Sequence, residues 1–261
     1  MSDSVLYSVA DCVATITLNR PTVLNALDAA MISALHAACE EASGDKAARA
    51  VVLRGAGAAF LSGGDIAMFH ANLSRLPALV REGGGALRQA ILALRRAPKP
   101  VLASVHGAVA GAGVSLMAAA DLAIAAEGTR FTMAYSRLGT SPDGGATYFL
   151  PRLVGYRRAL ELMLLGEVFD AQTAFAAGLV NWIVSPESLL AETKRIAQQL
   201  AQGPTTAFGE TKRLAQEGCD RSLAAHLDEE IEAFGRCAGT ADFAEGVTAF
   251  MQKRKPLFKG E

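Results

Sequence analysis

The sequence predicts an α/β fold, a superhelical stack of β-β-α units followed by an all-helical C-terminal region. Three observations carry that prediction. Apolar, β-branched runs at 50–54, Val101–Val105 and Leu122–Ala126 alternate with helix-like patterns. The first two runs each lead into a glycine-rich loop, Leu61-Ser62-Gly63-Gly64-Asp65 and His106-Gly107-Ala108-Val109-Ala110-Gly111-Ala112-Gly113-Val114-Ser115. After Pro186 the strands stop and only helix-like segments follow. The approximate repetition of strand, loop and helix favours a superhelix over an open doubly wound sheet. It divides the chain into a β-β-α core over 1–186, which holds the ligand site, and a helical oligomerisation region over 187–261. A tail of this kind suits covering a neighbouring subunit, and a self-contained helical cap fits the pattern equally.

Each element has a local reason. Residues 5–9 and 13–19 are apolar or alternating with β-branched side chains, and Ala10-Asp11 between them reads as a hairpin turn. Asp28 is placed to cap a helix running to about Ser43, with Ala30, Ile32, Ala34, Leu35 and Ala38 as inward candidates. The segment 69–85 contains Pro77 and Gly83-Gly84-Gly85 and is expected to wrap the surface as a loop. A helix follows to Arg96, stopped by Pro98 and Pro100. A short helix is expected over 114–120, a further strand over 180–184, and helices over 188–202, Thr205–Glu217, 222–238 and 241–255.

Bulk properties narrow the function. The chain has 261 residues, is 51% hydrophobic and carries a formal net charge of −1, so a nucleic-acid partner is not expected. The longest apolar stretch, 107–120, is too short to span a bilayer and contains Ser115, so no membrane role is expected. Four cysteines, Cys12, Cys39, Cys219 and Cys237, show no metal-ligand spacing, and the expectation is reduced thiols in a cytoplasmic setting. No metal site is expected. The two glycine loops remain as the chemical feature: small residues after a strand let backbone N–H groups approach one ligand oxygen, and one donor from each loop makes an oxyanion hole.

An ordered set of strings resembles the crotonase, or enoyl-CoA hydratase/isomerase, superfamily. It comprises Leu18-Asn19-Arg20-Pro21 with Asn25-Ala26-Leu27, then Ala59-Phe60-Leu61-Ser62-Gly63-Gly64-Asp65-Ile66, then Lys99-Pro100-Val101 with His106-Gly107 and Gly111-Ala112-Gly113. Ala120-Asp121-Leu122, Pro142-Asp143-Gly144-Gly145, Leu150-Pro151-Arg152-Leu153-Val154-Gly155 and Ala177-Gly178-Leu179-Val180 continue it, so that it covers essentially the whole chain. The resemblance implies the crotonase-like superhelix, a trimerising C-terminal region (a homotrimer or a dimer of trimers), and an acyl-CoA thioester as substrate. Coenzyme A enters only as part of that substrate, with no further cofactor. By position, the hole donors are the N–H groups of Gly64 and Ala112. The resemblance lays the CoA along Val23, Leu24, Ser62, Gly63, Asp65 and Ile66, with Gly111 beside the second donor and Lys255 or Lys259 candidates for a phosphate contact. A lysine common in the family is replaced here by Thr22.

The chemistry then turns on the acid and base groups. Hydratases of the superfamily carry two glutamates where this chain aligns Ser115 and Tyr135, so an ordinary two-glutamate hydration is not expected. Either residue could hydrogen-bond substrate or simply wall the acyl pocket. Asp143 remains, at the position where the single-carboxylate Δ3,Δ2-enoyl-CoA isomerases of the superfamily shuttle a proton between C2 and C4. Its plainer alternative is a cap on the helix running to Val154. Tyr148, Phe149 and Leu150 are expected to give it an apolar surround. Three further readings stay open: an enoyl-CoA hydratase, a dehalogenase-like hydrolase in which Asp143 is the nucleophile, and a non-catalytic acyl-CoA-binding member. The dehalogenase branch needs a histidine where this chain aligns Arg88, and His36, His70, His106 and His226 fall elsewhere. Asp65 is expected to brace its loop, His106 to close a strand end, and Asp121 to be structural.

Overall fold

A computed structural model describes residues 3–261. The chain opens with an antiparallel hairpin, β1 (Val5–Ala10) and β2 (Val13–Leu18). Its two-residue turn is Asp11-Cys12, one position later than expected, and both residues sit at positive φ (51° and 60°). That is the backbone twist a tight hairpin selects. Helix α1 (Ala29–Gly44) starts where Asp28 accepts a 2.8 Å hydrogen bond from the Met31 N–H, and it buries Met31, Leu35, Ala38, Cys39 and Ala42.

Next come β3 (Ala50–Gly55), α2 (Ile66–Ala71) and α3 (Leu76–Arg96). Here the loop expected over 69–85 is overturned, because most of it is helix. Pro77 stands in the first turn of α3, where its missing N–H is no loss. Gly83, Gly84 and Gly85 continue the helix, at a cost of about 1 kcal/mol each relative to alanine. What outweighs that cost is the face of α3 that buries Leu87, Ala90, Ile91, Ala93 and Leu94.

The second glycine loop also holds more structure than expected. After β4 (Val101–Val105), residues Ala108–Ala110 form a short strand, β5, and α4 begins at Ala112 and ends at Ala118. Then follow β6 (Leu122–Ala126), β7 (Arg130–Thr132), α5 (Ala146–Val154), α6 (Tyr156–Leu165), β8 (Phe169–Asp170), α7 (Ala171–Ala176) and β9 (Trp182–Val184). Helices α8 (Leu189–Ala201), α9 (Thr205–Glu217), α10 (Leu223–Ala238) and α11 (Ala241–Met251) complete the chain.

The main sheet has the order β1-β2-β3-β4-β6-β9 and is parallel beyond the hairpin. A small sheet, β5-β7-β8, stands beside it. Because both faces of a parallel sheet are covered, its central strands read as unbroken apolar runs, as in the fully buried β4. One face packs into the large core with α1 and α3. The other buries Val13, Ala50, Val52, Leu102 and Ile124 beneath Ile196, Ala197 and Ala201 of α8. Helix α8, first of the C-terminal helices, is thus seated on the sheet. Arg49 ties in the chain beyond it, donating to Gly203 O, Thr205 Oγ1 and Phe258 O. No helix among the described residues is long and apolar enough to cross a membrane.

Candidate active site

The loop after β3 is organised by one buried side chain. The Asn25 amide nitrogen donates to the carbonyls of Ala56, Ala59 and Phe60 at 2.9, 2.8 and 3.1 Å, while its oxygen accepts from the Arg20 N–H at 2.8 Å. Two bonds, Leu27 N–H to Gly63 O and Asp65 N–H to Leu27 O, then clamp the chain on either side of Gly64. Asp65 caps α2 through the Met68 N–H, and its carboxylate also meets Arg20 at 3.3 Å. Arg20 reaches Asp28 at 3.1 Å and donates to Ala26 O. The Met68 N–H, followed by Arg20, holds the Asp65 carboxyl below the ordinary aspartate range.

The two glycine loops are zipped to each other. Phe60 N–H bonds to His106 O, Leu61 N–H to Ala108 O, and Ala110 N–H returns to Leu61 O at 2.9 Å. Glycine is required at this seam: a Cβ on Gly113 would stand 2.3 Å from Leu61 O. Gly63, at φ +102°, packs its bare Cα against Ala110 and Gly111. Gly111 N–H is spent on Thr132 O, and Gly111 O accepts from Val114 and Ser115. Among the described residues no hydrogen bond takes the N–H of Gly64 or of Ala112. An unspent backbone donor on each of two interlocked loops is what an oxyanion hole needs.

Ser115, Tyr135 and Asp143 converge beside the second loop. Tyr135 Oη donates to Asp143 Oδ1 at 2.6 Å, Ser115 Oγ donates to Asp143 O at 2.9 Å, and Ser115 Oγ lies 3.4 Å from Tyr135 Oη. Tyr135 is buried, and burial followed by the Asp143 charge pushes its phenol far above the ordinary tyrosine range. The phenol therefore keeps its proton and acts as a donor. Asp143 does not cap α5; Gly145 occupies that position, and the Asp143 carboxylate is exposed at the mouth of the loop. The apolar surround expected for it is also absent: Leu150 is buried in the core, and Tyr148 lies half-exposed beneath Arg152. Phe149 packs inward, with Arg95 over its ring.

The remaining candidates separate. Val23 and Leu24 lie along the first loop, where Leu24 O accepts from the Ser62 N–H, and with Ile66 they present exposed apolar surface. Lys255 and Lys259 are exposed near the C-terminus, where Asp242 accepts from the Lys259 N–H. His106 is spent on Gly57 O at 2.9 Å, and Asp121 pairs with Lys212 at 2.8 Å and with Arg95 at 3.7 Å. Among the described residues no histidine bonds to Asp143, and Arg88 is exposed on α3. Two residues were missed by sequence reasoning. Phe69 of α2 lays its ring against Gly64, so close that a Cβ there would meet it at 2.5 Å. The other is Asn25, since an asparagine just after a Pro-containing turn, facing three carbonyls, is a signal only the fold reveals.

A parallel-sheet superhelix with two interlocked backbone-donor loops is an architecture suited to a carbonyl oxygen that gains negative charge. The chain belongs to the enoyl-CoA hydratase/isomerase family, whose model matches residues 9–261. It is 42% identical over 98% of both chains to a probable enoyl-CoA hydratase of Rhodobacter capsulatus, and 35% identical over the full length of both to a 1,2-epoxyphenylacetyl-CoA isomerase of Escherichia coli. In three dimensions it superposes on the crystal structure of a putative enoyl-CoA hydratase/isomerase from Mycobacterium abscessus with a TM-score of 0.94, at 37% identity, covering 98% of this chain and 100% of the other.

Proposed function

We propose that this enzyme moves the double bond of a 3-enoyl-CoA into conjugation, giving the 2-enoyl-CoA, with Asp143 as the proton carrier. The thioester oxygen is received by the N–H groups of Gly64 and Ala112. Asp143 removes a proton from C2; the C2–H bond pair enters the π system and gives a dienolate whose charge rests on that oxygen. The carboxyl returns the same proton to C4 as the double bond settles between C2 and C3, so atoms and charge balance without water. The observation that carries this reading is the single carboxylate of the cluster: Tyr135 donates its hydroxyl to that carboxylate and Ser115 donates its own to the Asp143 backbone carbonyl, leaving one acid–base group beside the second loop.

Hydration would need groups to orient and deprotonate a water, and neither hydroxyl is a carboxylate base. The likeness to a 1,2-epoxyphenylacetyl-CoA isomerase is consistent with an isomerase, and the likeness to a probable enoyl-CoA hydratase names the rival activity. In this proposal the CoA runs along Val23, Leu24 and 62–66. The enzyme works in the cytoplasm as a homotrimer or dimer of trimers. Support for assembly comes from the exposed apolar side chains of the last helices, including Leu223, Ile231, Phe234, Phe250 and Met251. An apolar hollow of about 370 Å³ lined by Phe243, Val247, Phe250 and Phe258 adjoins them.

Incubation with 3-hexenoyl-CoA and, separately, with crotonyl-CoA tests the proposal through the absorbance of the conjugated enoyl thioester. Conjugation of the first without hydration of the second is expected. Rapid loss of crotonyl-CoA absorbance would assign hydration instead, and binding of both thioesters without turnover would leave a binding protein.

A further inference from the structure

Asp143 has two carboxylate oxygens, and the cluster around it treats them differently. Oδ1 accepts the 2.6 Å bond from the buried Tyr135 phenol, whereas no hydrogen bond among the described residues reaches Oδ2. The backbone of the same residue is held separately, through the 2.9 Å bond from Ser115 Oγ to Asp143 O. We infer that Tyr135 is a positioning residue that locks the Asp143 carboxyl in one rotamer, so that Oδ2 alone carries the proton from C2 to C4. This rests on the isomerase reading above and deepens it.

Three features build the lock. Ala134, just before Tyr135, sits in the left-handed region at φ +48°, a conformation that costs a non-glycine residue about 1 kcal/mol or more. That turn swings the phenol back toward the second loop, where its ring comes within reach of Gly111. Gly144, at φ +60°, lays its Cα against Ser115, close enough that a Cβ would stand 2.9 Å from the Ser115 Cβ. Position 144 must therefore be glycine for the Asp143 loop to lie against Ser115 as it does. Finally, the phenol is a permanent donor: burial and the neighbouring carboxylate keep its proton in place. A permanent donor on Oδ1 fixes which oxygen faces the substrate, whether Oδ2 is empty or protonated. It also opposes the carboxyl rotation that would hand the carried proton to solvent at this exposed site.

The test is isomerisation of 3-hexenoyl-CoA deuterated at C2 by wild type and Tyr135→Phe, reading kcat, KM and the fraction of transferred deuterium found at C4. For wild type, most of the transferred label is expected at C4. For Tyr135→Phe, kcat is expected to fall about ten- to hundredfold, the range of one hydrogen bond to a charged group, with KM within about threefold and label at C4 clearly reduced. A wild-type kcat, or a lowered kcat with label transfer unchanged, would overturn the inference. Should Tyr135→Phe fail to fold, the wild-type measurement decides alone, since complete washout of label to solvent contradicts a locked carrier. Failure of the isomerase reading is separable, because wild type would then not conjugate 3-hexenoyl-CoA at all.

Discussion

The loops that present Gly64 and Ala112 and the loop that presents Asp143 are built on opposite plans. The first pair is all backbone, braced by Asn25, clamped by Leu27 and Arg20, and zipped from Phe60 to Ala110 by direct hydrogen bonds. The Asp143 loop offers one side chain at an exposed position, its carboxylate held by the Tyr135 hydroxyl and its backbone carbonyl by that of Ser115. The difference suits the two tasks proposed for these loops. An oxyanion hole works by preorganisation, since its donors must not reorganise as charge develops. A proton carrier must address two carbons of one substrate, so its oxygen needs a fixed orientation and free access rather than burial.

Four substitutions sharpen or break this contrast. The largest effect is expected at Asp143→Asn, which keeps the shape and removes the base; kcat for 3-hexenoyl-CoA should fall about 10²- to 10⁴-fold with acyl-CoA affinity unchanged, measured by steady-state kinetics and calorimetry. Ala112→Pro comes next. Residue 112 is the first of α4, a position that tolerates proline, and the ring deletes one hole donor. A fall of about 10²- to 10³-fold in kcat is expected with the fold intact by circular dichroism.

Asn25→Asp tests the bracing. It turns the amide that faces three carbonyls into an acceptor, and chemical denaturation should show a loss of at least about 3 kcal/mol. No comparable loss is expected for Asp143→Asn, whose loop carries little of the fold. The smallest effect is at Asp65→Asn, which keeps a capping side chain and removes the charge. Because the folded state holds this carboxyl below its ordinary value, the charge stabilises the protein above the usual aspartate range near pH 4 and ceases to do so as pH falls through the lowered value. The difference in Tm between wild type and variant should therefore be present at neutral pH and vanish on acidification.

The same contrast governs what could be read in the sequence. Asp28 as a cap and the strand runs at Val101–Val105 and Leu122–Ala126 are local signals, and each stands where expected. Only the second half of α3, up to Arg96, is legible; its first half is hidden because Pro77 and three consecutive glycines outweigh, in any local reading, an apolar face that counts only once it is packed in the core. Phe69 of α2, whose ring rests on Gly64, lies in the same stretch expected as a loop. The Asp143 cluster was legible as residue types but not as an arrangement. The left-handed Ala134 and the glycines at 144 and 145 bring Tyr135, Ser115 and Asp143 together, and no spacing rule encodes that turn. The apolar setting expected for Asp143 fails for the same reason: Phe149 and Leu150 turn into the core while Asp143 is exposed.

The most direct measurement is a crystal structure of the enzyme with hexanoyl-CoA, a saturated thioester that binds without reacting. The account predicts the thioester oxygen at about 2.7–3.1 Å from both the Gly64 and Ala112 nitrogens, with Asp143 Oδ2 at about 3–3.5 Å from C2 and turned toward C4. A thioester oxygen outside that pair of donors, or an Asp143 carboxylate turned away from the acyl chain, would contradict it.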